Sequence, residues 1–217
     1  MKKAIAVFSG GLDCTVATSV YDKDCEIHAI TFDYGQKAFT QEVKASKKIC
    51  EHMGWTHEVI SLPWLAKISN SSLNTDEDIP EVSEDDLDNF DKSSQTASNV
   101  WVPARNTVFT SIALSYAESI GAEIIIVGWN GEEGETFPDN SKEYMEEFNK
   151  LIEVGSPEKI RIEAPCIDLN KEEIVELGFD IGAPMELSYS CYNGGETPCG
   201  VCESCMRRKR AFKKYED

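Results

Sequence analysis

Short apolar runs and amphipathic stretches alternate along this chain. Residues 4–8, 26–32, 56–61, 123–128 and 160–164 read as strands. Between and beyond them, residues 13–21, 39–53, 107–120, 142–155 and 171–177 place apolar positions at helical spacing. The run Ile124-Ile125-Ile126-Val127 is continuously apolar, as expected of a strand covered on both faces. Such alternation predicts an α/β fold built on a doubly wound, mostly parallel sheet. Ligands in that architecture collect at the carboxyl ends of the strands. Three segments directly follow predicted strands: Ser9-Gly10-Gly11, Asp33-Tyr34-Gly35-Gln36 and Gly128-Trp129-Asn130. They are expected to line one crevice.

The segment 63–100 breaks the alternation and reads as an insertion, rich in Ser, Asn and acidic residues. Within it, residues 76–91 carry nine carboxylates and no Lys or Arg, the pattern of a solvated or disordered loop, with a lid over the site as the other reading. After Gly182 the chain becomes turn-rich and cysteine-dense and closes on a basic helix. The expected organisation is an α/β domain over 1–182 and a small C-terminal subdomain over 183–217. A chain of 217 residues with 41% hydrophobic and 28% charged residues suits a globular protein. No signal peptide or membrane-length apolar stretch is visible, so a cytoplasmic location is expected. The net charge of −18 disfavours non-specific binding to nucleic acid or an anionic membrane. It leaves room for a small nucleotide held by local N–H groups.

The first strand breaks into Ser9-Gly10-Gly11-Leu12-Asp13-Cys14-Thr15 before the first helix. A strand, a glycine loop and a helix N-terminus together present backbone N–H groups to an anion. The loop is neither a Walker A sequence nor a GxGxxG fingerprint. Its order resembles the pyrophosphate-binding loop of the N-type ATP pyrophosphatases, which split ATP into AMP and pyrophosphate.

Eight cysteines divide into scattered single ones (Cys14, Cys25, Cys50, Cys166) and a cluster, Cys191-x7-Cys199-x2-Cys202-x2-Cys205. Four thiolates brought together by Gly/Pro turns suit a closed, tetrahedral Zn²⁺ site. An iron–sulfur cluster is the competing reading. The run Met206-Arg207-Arg208-Lys209-Arg210 continues as a helix from near Cys202. Its cations read either as complements to a helix C-terminus or as a nucleic-acid patch, with the first preferred.

Three further strings are distinctive: Phe32-Asp33-Tyr34-Gly35-Gln36 followed by Glu42; Trp101-Val102-Pro103-Ala104-Arg105-Asn106-Thr107-Val108-Phe109; and Gly128-Trp129-Asn130 followed by Thr136-Phe137-Pro138-Asp139-Asn140-Ser141. With the Ser9 loop and the terminal cysteines, they resemble the QueC family of 7-cyano-7-deazaguanine (preQ0) synthases from residue 3 to about 212. The resemblance implies an ATP-dependent ligase acting on 7-carboxy-7-deazaguanine and ammonia, on the route to queuosine or archaeosine. The carboxylate is adenylated, ammonia gives the amide, and activation of the amide oxygen leaves the nitrile. ATP, Mg²⁺ and one structural Zn²⁺ are the implied cofactors, and a homodimer is expected.

Under that resemblance ATP is held by Phe8, Ser9, Gly10, Gly11, Leu12, Asp13, Cys14, Thr15, Val16, Ala17 and Thr18. Asp13, Arg105 and Ser9 are the catalytic candidates. Tyr34, Gln36, Arg105, Asn106, Trp129 and Asp139 are the substrate-binding candidates, and Cys191, Cys199, Cys202 and Cys205 the metal ligands. Arg105 offers a planar fork to carboxylate or phosphate oxygens. Asn106 reads equally as an N-cap, and Pro138-Asp139-Asn140 as a turn. Two departures stand out. Cys14 replaces the usual serine, and residues 131–140 differ from the Tyr-Pro-Asp-Cys-Arg string of many members. A tRNA thiolase of the same superfamily would need an RNA-binding domain and a persulfide cysteine. A non-catalytic zinc module would leave the glycine loop unexplained. With the first strand starting near residue 3, no glutaminase domain is expected and free ammonia is the implied nitrogen source.

Overall fold

Apolar periodicity turns into five parallel strands in a computed structural model that describes residues 1–215. They are β1 (Lys2–Val7), β2 (Cys25–Asp33), β3 (Thr56–Ser61), β4 (Ile124–Ile126) and β5 (Arg161–Glu163). The sheet order is β3-β2-β1-β4-β5, with every pairing parallel. The chain therefore winds outward from β1 through β2 to β3, then returns to the other side of β1 for β4 and β5. The direction reverses between β1 and β4, so a crevice opens at their carboxyl ends.

Nine helices are described: α1 (Leu12–Ser19), α2 (Phe39–Met53), α3 (Pro63–Ile68), α4 (Phe90–Val100), α5 (Arg105–Ile120), α6 (Gly131–Gly134), α7 (Lys142–Gly155), α8 (Lys171–Ile181) and α9 (Glu203–Phe212). Period-2 alternation in β1 divides the core. Ile5 faces a cluster with Phe109, Ala113 and Ala117 of α5 and Phe148 and Ile152 of α7. Ala4 and Ala6 face the other, with Val16 of α1, Ile49 of α2 and Ile174 and Val175 of α8. Small residues on that face of β1 let α1 lie close beneath the strand that feeds it. Among the described residues, no helix is long and apolar enough to cross a membrane.

The acidic segment is more ordered than its composition predicts. Its carboxylates are mostly exposed, but Leu65, Leu73, Ile79, Ala97 and Val100 are buried in the α5-side core, and Leu87 is buried as well. Helix α4 was not expected there. It buries Ser93, Thr96, Ala97 and Val100, a stripe of small residues that reads as loop by composition. Val82 N–H donates to Val201 O at 2.9 Å, which ties this segment to the cysteine-rich end of the chain.

Candidate active site

The Ser9 loop leaves β1 on the switch-point side of the sheet and enters α1. Gly11 is the N-cap of α1 and no side chain caps the helix, so its first-turn N–H groups remain directed into the cleft. Gly10 has φ +73°, and a Cβ there would lie 2.6 Å from Ser46 N of α2. A Cβ on Gly128, just after β4, would lie 2.6 Å from Cys14 N. Only glycine lets the loop approach α2 at Gly10 and the end of β4 close on the start of α1 at Gly128.

Of the eleven residues expected to hold nucleotide, Phe8, Ser9, Gly11, Leu12, Asp13 and Cys14 line the cleft. Thr15, Val16, Ala17 and Thr18 are buried in the body of α1, and the Thr15 hydroxyl donates to Gly11 O at 2.6 Å. The Cys14 thiol occupies a comparable local role, donating to Gly11 O at 3.3 Å beside Ser9 Oγ at 3.5 Å. Burial pushes the Cys14 thiol up, which keeps it neutral.

Charge in the cleft falls into two groups. In the first, Lys171 at the start of α8 reaches Asp13 at 2.5 Å and Glu133 at 3.3 Å. The Lys171 side chain is only 8% exposed, and its two carboxylate partners hold it protonated against burial. Burial pushes the Asp13 carboxyl up, partly offset by Lys171. Asp13 Oδ1 is buried with no hydrogen-bond partner among the described residues, an orphan acceptor suited to a cation. In the second group, Arg105 Nη1 donates to the Tyr34 hydroxyl at 3.2 Å, with the guanidinium 5.8 Å from the Tyr34 ring centroid. Gln36 holds Glu42 at 2.7 Å through Nε2. Phe32 and Phe109 stack at 4.1 Å behind Tyr34, whose ring is tilted by 57° to Phe109, and the three form an aromatic wall.

Arg208 of α9 is a third cation in the wall. It donates to Ser188 Oγ at 2.7 Å, Ser190 Oγ at 3.3 Å and Met185 O at 3.1 Å. Among the described residues, neither Arg105 nor Arg208 has a carboxylate within 4.0 Å. Two cations with only neutral partners, facing an uncapped helix N-terminus, make the cleft a receptor for anions.

The four clustered cysteines have Sγ atoms within 4.8 Å of one another. Four sulfurs at about 2.3 Å from a tetrahedral Zn²⁺ would lie about 3.8 Å apart, so the donor set fits. Cys199 N–H donates to Cys191 Sγ and Cys202 N–H to Cys199 Sγ, each at 3.3 Å, as thiolates require. The cluster also bears on the cleft. Tyr189, two residues before Cys191, donates its N–H to Gly10 O at 2.9 Å, and its hydroxyl donates to Gly195 O at 2.8 Å.

The family model described as "Queuosine biosynthesis protein QueC" matches residues 3–216. The chain belongs to the QueC family. A relative from Methanobrevibacter smithii named 7-cyano-7-deazaguanine synthase is 69% identical, over 98% of this chain and 93% of the relative. One of the same name from Methanothermobacter thermautotrophicus is 49% identical, over 97% and 94%. The solved structure of NMN synthetase from Francisella tularensis aligns at 15% identity and a TM-score of 0.49, over 99% of this chain and 85% of that one, too slight a likeness to argue from.

Within the QueC family frame, Tyr34, Gln36, Arg105, Asn106 and Trp129 line the cleft with the Ser9 loop. Asp139 does not. Its carboxylate accepts from Asn106 N–H at 3.4 Å, and Asn106 Nδ2 donates to Asp139 O and Asn140 Oδ1 at 3.2 Å each. These bonds tie residues 138–140 to α5. Asn106 is also not the N-cap: Ala104 caps α5 with φ 50°, which makes Asn106 the second helical residue. Of the basic run, Lys209 and Arg210 lie in the last turn of α9, where they complement the helix C-terminus. Arg207 is buried and paired with Glu203 at 2.8 Å and with Glu132, while Arg208 reaches the cleft. Lys171 lies 158 positions from Asp13, and no local spacing signals their meeting.

Proposed function

We propose that this chain converts 7-carboxy-7-deazaguanine, ammonia and ATP into 7-cyano-7-deazaguanine. The observation that carries the reading is the anion-receptive cleft at the sheet's switch point in a chain 69% identical to a protein named 7-cyano-7-deazaguanine synthase. In the proposed scheme a substrate carboxylate oxygen attacks the α-phosphorus of ATP and pyrophosphate leaves. Ammonia then attacks the acyl carbon and AMP leaves with that oxygen, giving the amide. The amide oxygen attacks the α-phosphorus of a further ATP and pyrophosphate leaves; the nitrogen then gives up its two protons and AMP leaves with the second oxygen as the nitrile forms.

The residues present suit these demands. First-turn N–H groups of α1 and the Lys171, Arg105 and Arg208 cations would balance charge that builds on the pyrophosphate. Mg²⁺ would supply further neutralisation of the phosphates, with Asp13 Oδ1 as its holder. Zn²⁺, held by Cys191, Cys199, Cys202 and Cys205, would fix the described part of the C-terminal subdomain, residues 183–215, against the 1–182 domain, and four thiolates leave it no open position. Tyr34 and Trp129 would flank the ring. The test is purified protein with ATP, Mg²⁺, ammonium and 7-carboxy-7-deazaguanine, followed by mass spectrometry. An ammonium-dependent nitrile is expected, and its absence from metal-replete protein would overturn the proposal.

A further inference from the structure

We propose that Glu42 reads the hydrogen-bond-donating edge of the deazaguanine ring, an assignment that rests on the function proposed above. Among the described residues three carboxylates line the cleft: Asp13, Glu42 and Glu133. Lys171 engages Asp13 and Glu133. Among the described residues Glu42 has no cation within 4.0 Å, so its acceptor capacity is open to a ligand.

Gln36 sets the orientation of that carboxylate. Its Oε1 accepts from Tyr34 N–H at 2.9 Å, while Nε2 donates to Phe32 O at 2.9 Å and to Glu42 Oε2 at 2.7 Å. Both amide hydrogens and the amide oxygen are therefore engaged, and Gln36 is a positioning residue for Glu42 with little left for substrate. Burial pushes the Glu42 carboxyl up, while the Gln36 amide and the Arg105 charge pull it down.

The position suits a flat bicyclic ring. Glu42 lies in the first turn of α2, four residues before Ser46, whose backbone abuts Gly10. Four residues rise about 6 Å along a helix, so the carboxylate stands one turn from the phosphate loop. Tyr34 and Phe109 form the aromatic wall beside it. A guanine-type edge offers a ring N–H and an exocyclic amine side by side, spaced to meet the two oxygens of one carboxylate. An adenine edge alternates donor and acceptor, and would set a ring lone pair against the second oxygen. That asymmetry assigns Glu42 to the deazaguanine and not to ATP.

The experiment compares wild type, Glu42→Gln and Glu42→Asp in steady-state kinetics. ATP, ammonium and 7-carboxy-7-deazaguanine are varied in turn, alongside an analogue lacking the exocyclic amine. Wild type should discriminate against the analogue, and Glu42→Gln should raise KM for the true substrate by about 10–100-fold while losing most of that discrimination. KM for ATP and ammonium should stay within about threefold, which also checks folding. Glu42→Asp keeps two acceptors at shorter reach and should retain the discrimination with a raised KM. If Glu42→Gln discriminates as wild type does, or the increase falls on ATP or ammonium instead, the assignment is overturned. A wild-type enzyme that forms no nitrile overturns the function itself, which is a distinct outcome.

Discussion

Replacing Lys171 with Met removes the cation that Asp13 and Glu133 share, at 2.5 and 3.3 Å. Side-chain exposures of 8% for Lys171 and 18% for Asp13 leave water little room to compensate. Deleting one partner of a buried ion pair costs about 3–5 kcal/mol. Asp13 can cap that cost by taking up a proton, which for an ordinary carboxylate at pH 7 requires about 4 kcal/mol. The expected loss is therefore about 3–4 kcal/mol, or about 6–16 °C in Tm for a chain of this size. Its pH dependence has a definite sign. Burial already pushes the Asp13 carboxyl up with Lys171 in place, and losing Lys171 pushes it further. A carboxyl with a folded pKa above its unfolded value keeps its stability at low pH and loses it as pH rises toward the folded pKa. The deficit of Lys171→Met against wild type should therefore shrink from pH 7 to pH 5, by up to about 2.7 kcal/mol. Differential scanning calorimetry at both pH values measures it, and Asp13→Asn combined with Lys171→Met should recover most of the loss. A Tm deficit below about 2 °C, or one unchanged between the two pH values, would refute the reasoning.

Two further expectations concern the C-terminal end. Metal analysis should give about one zinc per chain in a colourless protein, and chelation should weaken ATP binding by at least about tenfold in calorimetric titration, because Tyr189 next to the cysteine cluster holds Gly10 O; a brown protein or unchanged ATP affinity would contradict this. Arg208→Ala should raise KM for ATP by about 10–100-fold, the worth of a charge-assisted hydrogen bond, with metal content unchanged. An unaltered KM would remove Arg208 from the site.

Elements with long, clean periodicity were legible in the sequence, and those whose order depends on distant partners were not. The amphipathic patterns over 39–53 and 142–155 match α2 and α7 to the residue, and 56–61 matches β3. Helix α4 is not legible in the sequence because its buried face is largely Ser93, Thr96 and Ala97, residues that pack by small size and carry little apolar signal. The phosphate loop was legible because its chemistry is local: a strand, two glycines and a helix start, all contiguous. Lys171 and Arg208 were not, since each joins the cleft only when α8 packs on α1 and α9 packs on α8. A run of four basic residues reads as a complement to a helix C-terminus, and the ion pairs of Arg207 emerge only when Glu132 and Glu203 are brought beside it. Asp139 shows the opposite limit: a polar residue in a turn near the site by sequence, which folding ties to α5 through Asn106.

The central claim, that a carboxylate becomes a nitrile by successive adenylation, is tested most directly with substrate carrying heavy oxygen in both carboxylate positions. Each oxygen should leave on AMP, with formation of unlabelled 7-cyano-7-deazaguanine that depends on ammonium. Heavy oxygen appearing in inorganic phosphate, with ADP in place of AMP, would contradict the account.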